Sequence, residues 1–486
     1  MSIAASTGLL RSRSVRIIVC GLALAGLLGV ALRPVPATAG ELAPQSTPPY
    51  TVFLPLVSKI VQPNFIIIIS DDQRYDTIDY MPLTKSRLFD SGVTFRRAYV
   101  TTPLCCPSRS SILTGLYALH HNVYTNFTPL DKTTFVQRLH AAGYYTGIVG
   151  KYLNSWDGTP RPEFDSWVVF AGHGSAQHYF DPLLNVNGAW QQHAGYMTDI
   201  LKDYALSFLD QARRQPKPFL LIFAPNTPHE PADPAPGDEH LYPDLPPYRP
   251  PSFMEADLSD KPQWLQGLAP AAPSYIDSLR RRQLRTLHSL DVAINALLDA
   301  LADYGPDSKT VVMYISDNGV FWGEHGLNGK TYPYLEATHV PFAIRYDPLT
   351  SQPRAESRLV ANIDIAPTLY ELAGLSIPPE TDGRSLVPLL KQQDTDWRDS
   401  LLVEGWGYYP YAAIQTERYL YIETDGDISE LYDSTSDPYQ MQNQAGNPAY
   451  AAVVDELHHT LLGFKSQRSQ PALWETLIFS LVGLDD

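Results

Sequence analysis

Four short runs of apolar residues recur along the chain, and each of them ends in polar or charged residues. Continuous runs rich in β-branched residues are typical of strands that are buried on both faces of a parallel sheet. The pattern therefore predicts four core strands, which are Phe65 to Ile69, Tyr145 to Val149, Phe219 to Phe223 and Thr310 to Ile315.

Stretches with the apolar spacing of amphipathic helices lie between these strands. They are Thr134 to Ala142, Thr198 to Arg213, Ile276 to Tyr304 and Asp364 to Gly374. Alternating strands and helices favour an α/β fold with a doubly wound, mostly parallel sheet, in which ligands bind outside the carboxyl ends of the strands. We therefore expect the polar residues at the four strand ends to converge on one site.

Two further regions break this alternation. The Pro-rich, acidic stretch from Pro231 to Pro273 is interpreted as an ordered border of that site. After about Asp396, short aromatic strands and a last helix predict a smaller α+β subdomain with an antiparallel sheet. The predicted strands and helix are Leu401 to Trp406, Ala412 to Gln415, Tyr419 to Glu423 and Tyr450 to Phe464.

The first forty residues have the pattern of a targeting segment. Basic residues at Arg11, Arg13 and Arg16 precede the apolar run Ile17 to Leu32, and Ala37-Thr38-Ala39 fits a cleavage site. An uncleaved membrane anchor is the alternative. The run of about 16 apolar residues is slightly shorter than the roughly 20 that a membrane-spanning helix needs. We predict a signal peptide at 1–39, a lead-in linker at 40–62, a main domain at 63–395 and the C-terminal subdomain at 396–486. The protein is expected to be exported to the periplasm, the cell surface or the medium, with no stable membrane span after cleavage.

Composition limits the classes of function. Of the 486 residues 44% are hydrophobic and 18% are charged, which excludes a disordered or collagen-like chain. The net charge of −16 leaves no general basic surface for nucleic acid or an anionic membrane. An anionic substrate would therefore need a local cluster of cations. Because Cys20 lies in the signal segment, the adjacent pair Cys105 and Cys106 remains, and it offers no disulfide framework.

Two strand ends carry oxygen ligands. Asp71 and Asp72 follow the first predicted strand, where paired carboxylates repel each other unless a cation or a proton intervenes. Asp317 and Asn318 follow the fourth strand and add a carboxylate and an amide oxygen. Such an all-oxygen set suits Ca²⁺ or Mg²⁺ rather than zinc. The alternatives are a helix cap at the first pair and a plain turn at the second.

The stretch from Cys105 to Gly115 has the features of a helix that begins beside a reactive residue. Pro107 suits a first helical position and Gly115 suits a helix stop. Cys105 would then lie just ahead of the helix N-terminus, where the dipole stabilises an anion, and Arg109 would return to the same side one turn later. From the residues alone, the cysteines are either a thiolate nucleophile or a pair of buried structural thiols.

The same stretch resembles the signature of the type I sulfatases, Cys-x-Pro-Ser-Arg-x-x-x-Leu-Thr-Gly, at every fixed position. The resemblance extends over roughly residues 63 to 445, in family order. The double cysteine and the segment Gly150-Lys151-Tyr152-Leu153-Asn154 are most similar to the N-acetylglucosamine-6-sulfatase branch. The resemblance implies an alkaline-phosphatase-like fold and a sulfuric ester hydrolase acting on sulfated, glycosaminoglycan-like sugars.

The resemblance also implies that Cys105 is not used as a thiol. In the family the matching cysteine is oxidised to formylglycine, and the formylglycine-generating enzyme recognises the residues that match Pro107 and Arg109. The hydrated aldehyde attacks sulfur and expels the alcohol. Its second hydroxyl then collapses the sulfated hemiacetal, which releases sulfate and restores the aldehyde.

Roles for the other site residues follow from the resemblance position by position. Ca²⁺, or Mg²⁺ in its place, would be held by Asp71, Asp72, Asp317, Asn318 and the modified Cys105. Arg109 would orient the aldehyde hydrate, Lys151 and Lys330 would neutralise the sulfate oxygens, and His229 would be the leaving-group acid or a sulfate contact. Each of these side chains has an ordinary alternative as a solvated lysine, a core histidine or a surface ion pair.

One position departs from the family pattern. Many sulfatases have a histidine two residues after the lysine that matches Lys151, whereas this chain has Leu153 there, followed by Asn154. Asn154 is therefore expected to contact the substrate, and the base that collapses the hemiacetal is sought among His120, His121 and His325.

Three other functions stay open from the sequence. A phosphonate monoester or phosphodiester hydrolase would use the same nucleophile on another tetrahedral anion. A non-catalytic carbohydrate-binding homologue would leave Cys105 unmodified, and a thiol hydrolase would pair Cys105 with His229. The aromatic residues Trp406, Tyr408, Tyr409 and Tyr411 would either stack on sugar rings or pack the subdomain against the core.

Overall fold

The computed structural model describes residues 62–171, 178–304 and 310–466. The predicted signal peptide and nearly all of the predicted lead-in linker lie outside these residues. In chain order, the described residues form the strands β1 (Asn64–Ser70), β2 (Val93–Phe95), β3 (Ala98–Tyr99), β4 (Tyr145–Gly150), β5 (Ser166–Phe170), β6 (Leu183–Val186), β7 (Ala189–Gln192), β8 (Phe219–Ala224), β9 (Thr310–Ser316), β10 (Phe321–Trp322), β11 (Asn328–Gly329), β12 (Phe342–Arg345), β13 (Arg354–Glu356), β14 (Val360–Ala361), β15 (Ser400–Gly405), β16 (Tyr411–Thr416), β17 (Tyr419–Thr424) and β18 (Glu430–Asp433).

The α-helices of the described residues alternate with these strands over most of the chain. They are α1 (Pro82–Thr84), α2 (Cys105–Thr114), α3 (Ala118–His121), α4 (Phe135–Ala141), α5 (Met197–Arg213), α6 (Gln263–Gln266), α7 (Pro273–Ala300), α8 (Leu335–Thr338), α9 (Asp347–Thr350), α10 (Ile365–Leu372), α11 (Val387–Leu390) and α12 (Ala451–Ser466). The predicted helices match α4, α5, α7, α10 and α12 within a few residues at each end. Proline suits the first turn of a helix, which explains why α7 already begins at Pro273.

A ten-stranded sheet forms the centre of the fold, with strand order β13-β2-β12-β9-β1-β8-β4-β5-β6-β7. The four predicted core strands are neighbours in the order β9-β1-β8-β4, and all three of their pairings are parallel. Antiparallel strands β12, β6 and β7 occur only outside this parallel centre. The prediction of a doubly wound, mostly parallel α/β sheet is confirmed, and the carboxyl ends of the core strands meet at one edge.

Strand β1 shows why the apolar runs are continuous. Phe65, Ile67 and Ile69 point to one face of the sheet, where they pack with residues of α2, α4 and α10. Ile66 and Ile68 point to the other face and pack with residues of α5 and α7. Since helices cover both faces, every position of the strand must be apolar, and each buried side chain contributes about 1.5–3 kcal/mol.

The C-terminal part of the chain forms a separate antiparallel sheet of four strands in the order β15-β16-β17-β18. Leu457 and Leu461 of α12 pack on one face of this sheet, and Phe321 and Tyr334 of the main domain pack on the other. The predicted antiparallel α+β subdomain is therefore confirmed, whereas its exact boundary at residue 396 stays a prediction. No helix within the described ranges is long and apolar enough to cross a membrane.

Candidate active site

Polar residues leave the sheet side by side at the carboxyl ends of β1 and β9. Ser70 and Ser316 are register partners in the parallel ladder, so Asp71 and Asp317 follow at equivalent positions. The Asp317 backbone N–H donates to Ser70 O at 3.1 Å, and the Asp72 N–H donates to Asp317 Oδ1 at 3.1 Å. The expected convergence of these two strand ends is therefore present in the structure.

Asp72 has a left-handed backbone conformation. Its φ of 66° lies in the left-handed region, in which residues other than glycine are rare. Strained backbone of this kind clusters at ligand-binding and catalytic sites, because the surrounding structure must hold it in place. Other described residues share this conformation, but at Asp72 it coincides with the converging strand ends.

Helix α2 delivers Cys105 to the same place. The helix begins at Cys105 itself, so the expectation that Pro107 occupies the first helical position is off by two residues. Proline is still tolerated in the first turn, whose N–H groups have no partner within the helix. The helix ends at Gly115, as predicted, with the left-handed φ of 74° that glycine adopts freely.

The Cys105 thiol contacts groups from two other parts of the fold. Its Sγ lies 3.8 Å from Asp71 Oδ1 and accepts from Lys330 Nζ at 3.0 Å. Only 1% of the residue is exposed. One turn later on α2, the Arg109 Nε donates to Asp317 Oδ2 at 2.8 Å. Cys105 and Arg109 therefore face the same acidic strand ends.

Lys151 reaches the cluster from the end of β4. Its Nζ donates to both oxygens of Asp71, at 2.9 and 2.6 Å. The preceding Gly150 has a φ of 119°, and a Cβ at that position would lie 2.0 Å from Ala224 O. Only glycine therefore allows β4 to end so close to β8 that the Lys151 N–H can donate to Ala224 O.

Two further basic side chains contact Asp72. Lys330 donates from Nζ to Asp72 Oδ1. His229, in the loop after β8, places Nε2 3.6 Å from Asp72 Oδ2. The side chains expected to act on the nucleophile or the sulfate therefore lie around Asp71 and Asp72. They are Arg109, Lys151, His229 and Lys330.

The charges determine the ionisation of the cluster. Burial alone would raise the pKa of Asp71, but Lys151, His229 and Arg109 outweigh it and the pKa is lowered. Burial would also raise the pKa of Asp72, but Lys330 and His229 outweigh it and the pKa is lowered. Burial raises the pKa of the Cys105 thiol to about 12 although Lys151 and Lys330 act against it. A thiol that stays protonated at neutral pH is a poor nucleophile, which disfavours the thiol hydrolase alternative.

The carboxylate and amide oxygens of the cluster fit a hard divalent cation. One ligand atom each from Asp71, Asp72, Cys105 and His229 lies within 4.8 Å of the other three. Asn318 donates from Nδ2 to Asp72 at 2.7 Å, while its Oδ1 is buried and accepts no hydrogen bond from any described residue. A buried amide oxygen without a donor is costly unless a cation binds it. Carboxylate and amide oxygens are the ligands of Ca²⁺ and Mg²⁺.

Cys106 has a structural role beside the cluster. Its Sγ accepts from the Asn154 N–H at 2.9 Å, and its own N–H donates to Asn126 Oδ1 at 3.0 Å. The first contact ties the loop after Lys151 to the start of α2, and the second ties the segment after α3 to it. The Asn154 Oδ1 is buried and has no hydrogen-bond partner among the described residues.

The three candidate bases are held by other partners. His120 Nδ1 lies 2.8 Å from Asp382 Oδ2. His121 Nε2 lies 3.1 Å from Ser111 Oγ, and its Nδ1 accepts from the Val123 N–H. Burial lowers the pKa of His121 to about 3, so this imidazole is neutral at physiological pH. His325 Nδ1 lies 2.6 Å from the Glu255 carboxylate.

Some supporting residues had no signal in the sequence. The Tyr179 hydroxyl donates to His229 O at 2.7 Å and holds the loop that carries this histidine. Asn126 begins the sequence Asn126-Phe127-Thr128, which has the pattern of a glycosylation sequon and gives no indication that Asn126 Oδ1 accepts from the Cys106 N–H at the start of α2. Neither residue lies in a catalytic motif or a periodic pattern, so only the folded chain reveals their roles.

The aromatic residues of the C-terminal subdomain differ in their surroundings. Trp406 packs on Tyr124 with 4.3 Å between ring centroids, and Tyr409 stacks on Trp264 at 5.2 Å. Tyr411 is buried, whereas Tyr408 is 90% exposed. Packing therefore accounts for three of the four rings.

Comparison with known families identifies the fold and the signature together. Residues 63–375, more than half of the chain, match the family described as Sulfatase. Residues 323–467 match the family described as N-sulphoglucosamine sulphohydrolase, C-terminal. The second match spans the end of the main domain and the antiparallel sheet.

Individual relatives agree with these matches. The chain is 35% identical over 373 residues to an extracellular sulfatase SULF-1 homolog of Drosophila melanogaster, covering 71% of this chain but only 33% of that relative. It is 27% identical over 506 residues to the N-acetylglucosamine-6-O-sulfatase of Bacteroides thetaiotaomicron, covering 86% of this chain and 89% of that relative. The chain thus spans a third of the length of the Drosophila protein.

A solved structure shows the same architecture. It is a protein in complex with its substrate D-glucosamine-2-N,6-O-disulfate, and it is similar to this chain with a TM-score of 0.76 and 25% identity. The match covers 84% of this chain and 98% of that one.

Proposed function

This chain belongs to the sulfatase family, and from that premise we propose that it is a sulfuric ester hydrolase acting on sulfated sugars. The observation that carries the proposal is the meeting of Cys105 with Asp71 and Lys330 at the carboxyl ends of the core strands. A nucleophile precursor, carboxylates for a cation and ammonium groups for an anion occupy one buried cluster.

The nucleophile is proposed to be formylglycine, made from Cys105 by a formylglycine-generating enzyme. Its hydrate supplies one hydroxyl that attacks sulfur and a second that restores the carbonyl group afterwards. The Cys105 thiol is buried and protonated, so the unmodified side chain would be a weak nucleophile. Conversion of the thiol therefore explains why a family signature surrounds such an unreactive cysteine.

Three cations of this chain are positioned to bind the sulfate group. Lys151, Lys330 and Arg109 each contact an aspartate of the cluster. The Arg109 Nη2 is buried without a hydrogen-bond partner among the described residues and lies 4.0 Å from Asp71 Oδ1. A preorganised donor to charge that develops in the transition state contributes about 3–4 kcal/mol, so several together provide a large share of the barrier lowering.

His229 is proposed to protonate the leaving alcohol. Its Nδ1 lies 2.6 Å from Glu230 O, and a carbonyl oxygen can only accept, so Nδ1 carries a hydrogen. In the imidazolium form that a general acid requires, the second proton would be on Nε2, which faces Asp72 and the cluster. The leaving oxygen would take that proton as the bond to sulfur breaks.

The bound metal is proposed to be Ca²⁺, with Mg²⁺ as the other hard cation that the ligands allow. Asp71, Asp72, Asp317 and Asn318 would hold it together with the modified Cys105. When bound, the cation supplies positive charge for the sulfate oxygens. Asn318 contributes through the Oδ1 that the protein leaves without a donor.

The proposed substrate is a sulfated glucosamine unit of a glycosaminoglycan-like chain. Relatives named for N-acetylglucosamine-6-sulfate and a similar structure bound to a disulfated glucosamine support this class of sugar. Asn154 is proposed to contact the substrate, because its Oδ1 is buried without a partner beside the cluster. Export from the cytoplasm is proposed from the predicted signal peptide and from a relative named as extracellular.

Two measurements test the proposal. Mass spectrometry of the peptide containing Cys105, from active protein, should show the decrease in mass from thiol to free aldehyde, and an intact thiol would contradict the nucleophile. Sulfate release from aryl sulfate and from glucosamine-6-sulfate should exceed hydrolysis of an aryl phosphate diester. A strong preference for the diester would instead identify a phosphonate or phosphodiester hydrolase with the same nucleophile.

A further inference from the structure

The short hairpin β10–β11 lies between the candidate-site residues that follow β9. Asp317 and Asn318 precede β10, and Lys330 follows β11 directly. Only two residue pairs join these strands, Phe321 with Gly329 and Trp322 with Asn328. A hairpin this short is marginally stable alone, so its geometry must be imposed by contacts from outside.

The stretch from Pro231 to Pro273 supplies such contacts at the turn of the hairpin. The Met254 N–H donates to Gly323 O at 2.8 Å, and the His325 N–H donates to Ser252 O at 2.7 Å. The side chains add a third link, since His325 Nδ1 lies 2.6 Å from Glu255 Oε2. The turn is thus bound to this stretch on both its backbone and its side chain.

The side-chain link is buried and continues to the C-terminal subdomain. The His325 side chain is 0% exposed and that of Glu255 is 3% exposed. The second oxygen of Glu255 lies 3.4 Å from Nζ of the fully buried Lys261, which donates to Met441 O at 2.7 Å. Water does not reach this buried position, so removing Glu255 leaves His325 Nδ1 without its partner, whereas Lys261 keeps its contacts with Asp260 and Met441 O.

We propose that Glu255 and His325 are positioning residues that hold Lys330 against the nucleophile. Lys330 Nζ contacts both Cys105 Sγ and Asp72, and its backbone continues directly from β11. A second anchor, from the Thr331 N–H to Pro103 O at 3.1 Å, holds the chain just beyond Lys330. With the turn fixed by Glu255 and the far end fixed by Pro103, the lysine between them has one position.

This inference rests on the proposed function, in which Lys330 binds the sulfate group. Displacement of a binding group by about 1 Å can lower a rate roughly 100-fold. Residues distant from the chemistry would therefore control the rate through the geometry of the hairpin. The acidic, Pro-rich stretch then acts as a structural clamp on the catalytic site.

A double-mutant cycle tests the proposal with aryl sulfate as the substrate. We expect Glu255→Ala to lower kcat/KM by about 10- to 100-fold, and to weaken the binding of inorganic sulfate, measured by calorimetry, by a similar factor. In a Lys330→Ala background, Glu255→Ala should lower kcat/KM by less than about twofold, because the effects of residues that act through one another are not additive. Full additivity in the cycle would overturn the proposal.

Two further variants separate positioning from folding. Glu255→Gln keeps an acceptor for His325 and should restore most of the activity, since the hydrogen bond rather than the charge holds the turn. His325→Asn suits the left-handed φ of 51° at this position but cannot reach Glu255, so it should reproduce the loss. Unchanged activity of His325→Asn in folded protein would contradict the clamp.

An exposed ion pair of the same stretch provides the control. Asp277→Ala removes the contact of Asp277 with Arg249, 2.7 Å long, which binds this stretch to α7. It should leave kcat/KM and sulfate binding unchanged, and an equal loss there would contradict a specific role of Glu255. Absence of sulfate release from the unaltered, converted protein would refute the proposed function itself, whereas an active protein with an additive cycle would refute only the clamp.

Discussion

Lys330 Nζ lies 3.0 Å from Cys105 Sγ although 225 residues separate the two in the chain. Cys105 begins helix α2, and Lys330 ends the hairpin that follows the last core strand. Burial would lower the pKa of Lys330, but Asp72 raises it well above its usual value, so the side chain is an ammonium group. A fixed positive charge therefore lies beside the residue that is proposed to become the nucleophile.

Replacement of this ammonium group should affect the reaction far more than the fold. We expect Lys330→Ala to lower kcat/KM for aryl sulfate roughly 100- to 1,000-fold, the cost of losing one preorganised donor to a developing anion. Steady-state kinetics measure the loss. Lys391→Ala, at an exposed lysine, should retain full activity. A loss below about threefold in Lys330→Ala would contradict a role in binding the sulfate.

Removal of divalent cations should inactivate and destabilise the protein. Any ligand that binds only the folded state stabilises it, so dialysis against EDTA should lower both the Tm and the rate, and Ca²⁺ should restore them. Asn318→Ala removes the buried amide oxygen and should weaken Ca²⁺ binding by about tenfold or more in calorimetry. Asn328→Ala, at an exposed position of the same hairpin, is the control. Full activity with no thermal shift in EDTA would exclude the proposed metal site.

Gly150 should not tolerate a side chain. A Cβ there would lie 2.0 Å from Ala224 O, so Gly150→Ala must separate β4 from β8 or twist the chain before Lys151. We expect a loss of about 3 kcal/mol or more in the free energy of unfolding. Gly143→Ala is a matched control, because its φ of 93° is equally left-handed but its Cβ would meet nothing within 4 Å. The control should lose about 1 kcal/mol in the free energy of unfolding, measured by denaturant unfolding. Equal losses in the two variants would show that the close approach to β8 is unimportant.

Glu430 should make stability depend on pH. It is buried in the C-terminal sheet, where Tyr334 and Tyr432 donate to its Oε2, and burial raises its pKa from 4.5 to about 7. Between those values the native state binds more protons than the unfolded state, so stability falls as the pH rises. The loss is up to about 3 kcal/mol by pH 7 and is complete above it.

Glu430→Gln mimics the protonated form and should remove this part of the dependence. Urea unfolding at pH 5 and pH 8 should show a smaller difference for the variant than for the unaltered protein. Glu423→Gln is a suitable comparison, because Glu423 is paired with Lys465 and His458 at the surface and its pKa is lowered rather than raised. An identical pH difference in Glu430→Gln and the unaltered protein would show that Glu430 stays charged.

The sequence alone predicts the central sheet because each core strand shows its burial on both faces in its own run of apolar residues. A strand covered by helices on both faces needs an apolar residue at every position, so Phe65 to Ile69 is readable without knowing its partners. Parallel pairing then brings the polar strand ends together, which is why Asp71 and Asp317 could be predicted to meet. The signature from Cys105 to Gly115 adds the chemistry through resemblance to a family.

The tertiary structure decides which distant residues complete the site. The contact of His229 with Asp72 and the clamp of His325 by Glu255 depend on the paths of long loops, which no periodicity encodes. Helix α2 starts two residues before the predicted position. This difference also depends on a distant residue, since Asn126 accepts a hydrogen bond from the first turn. Local patterns determine which faces are buried, whereas contacts between residues far apart in the chain determine where each charged group lies.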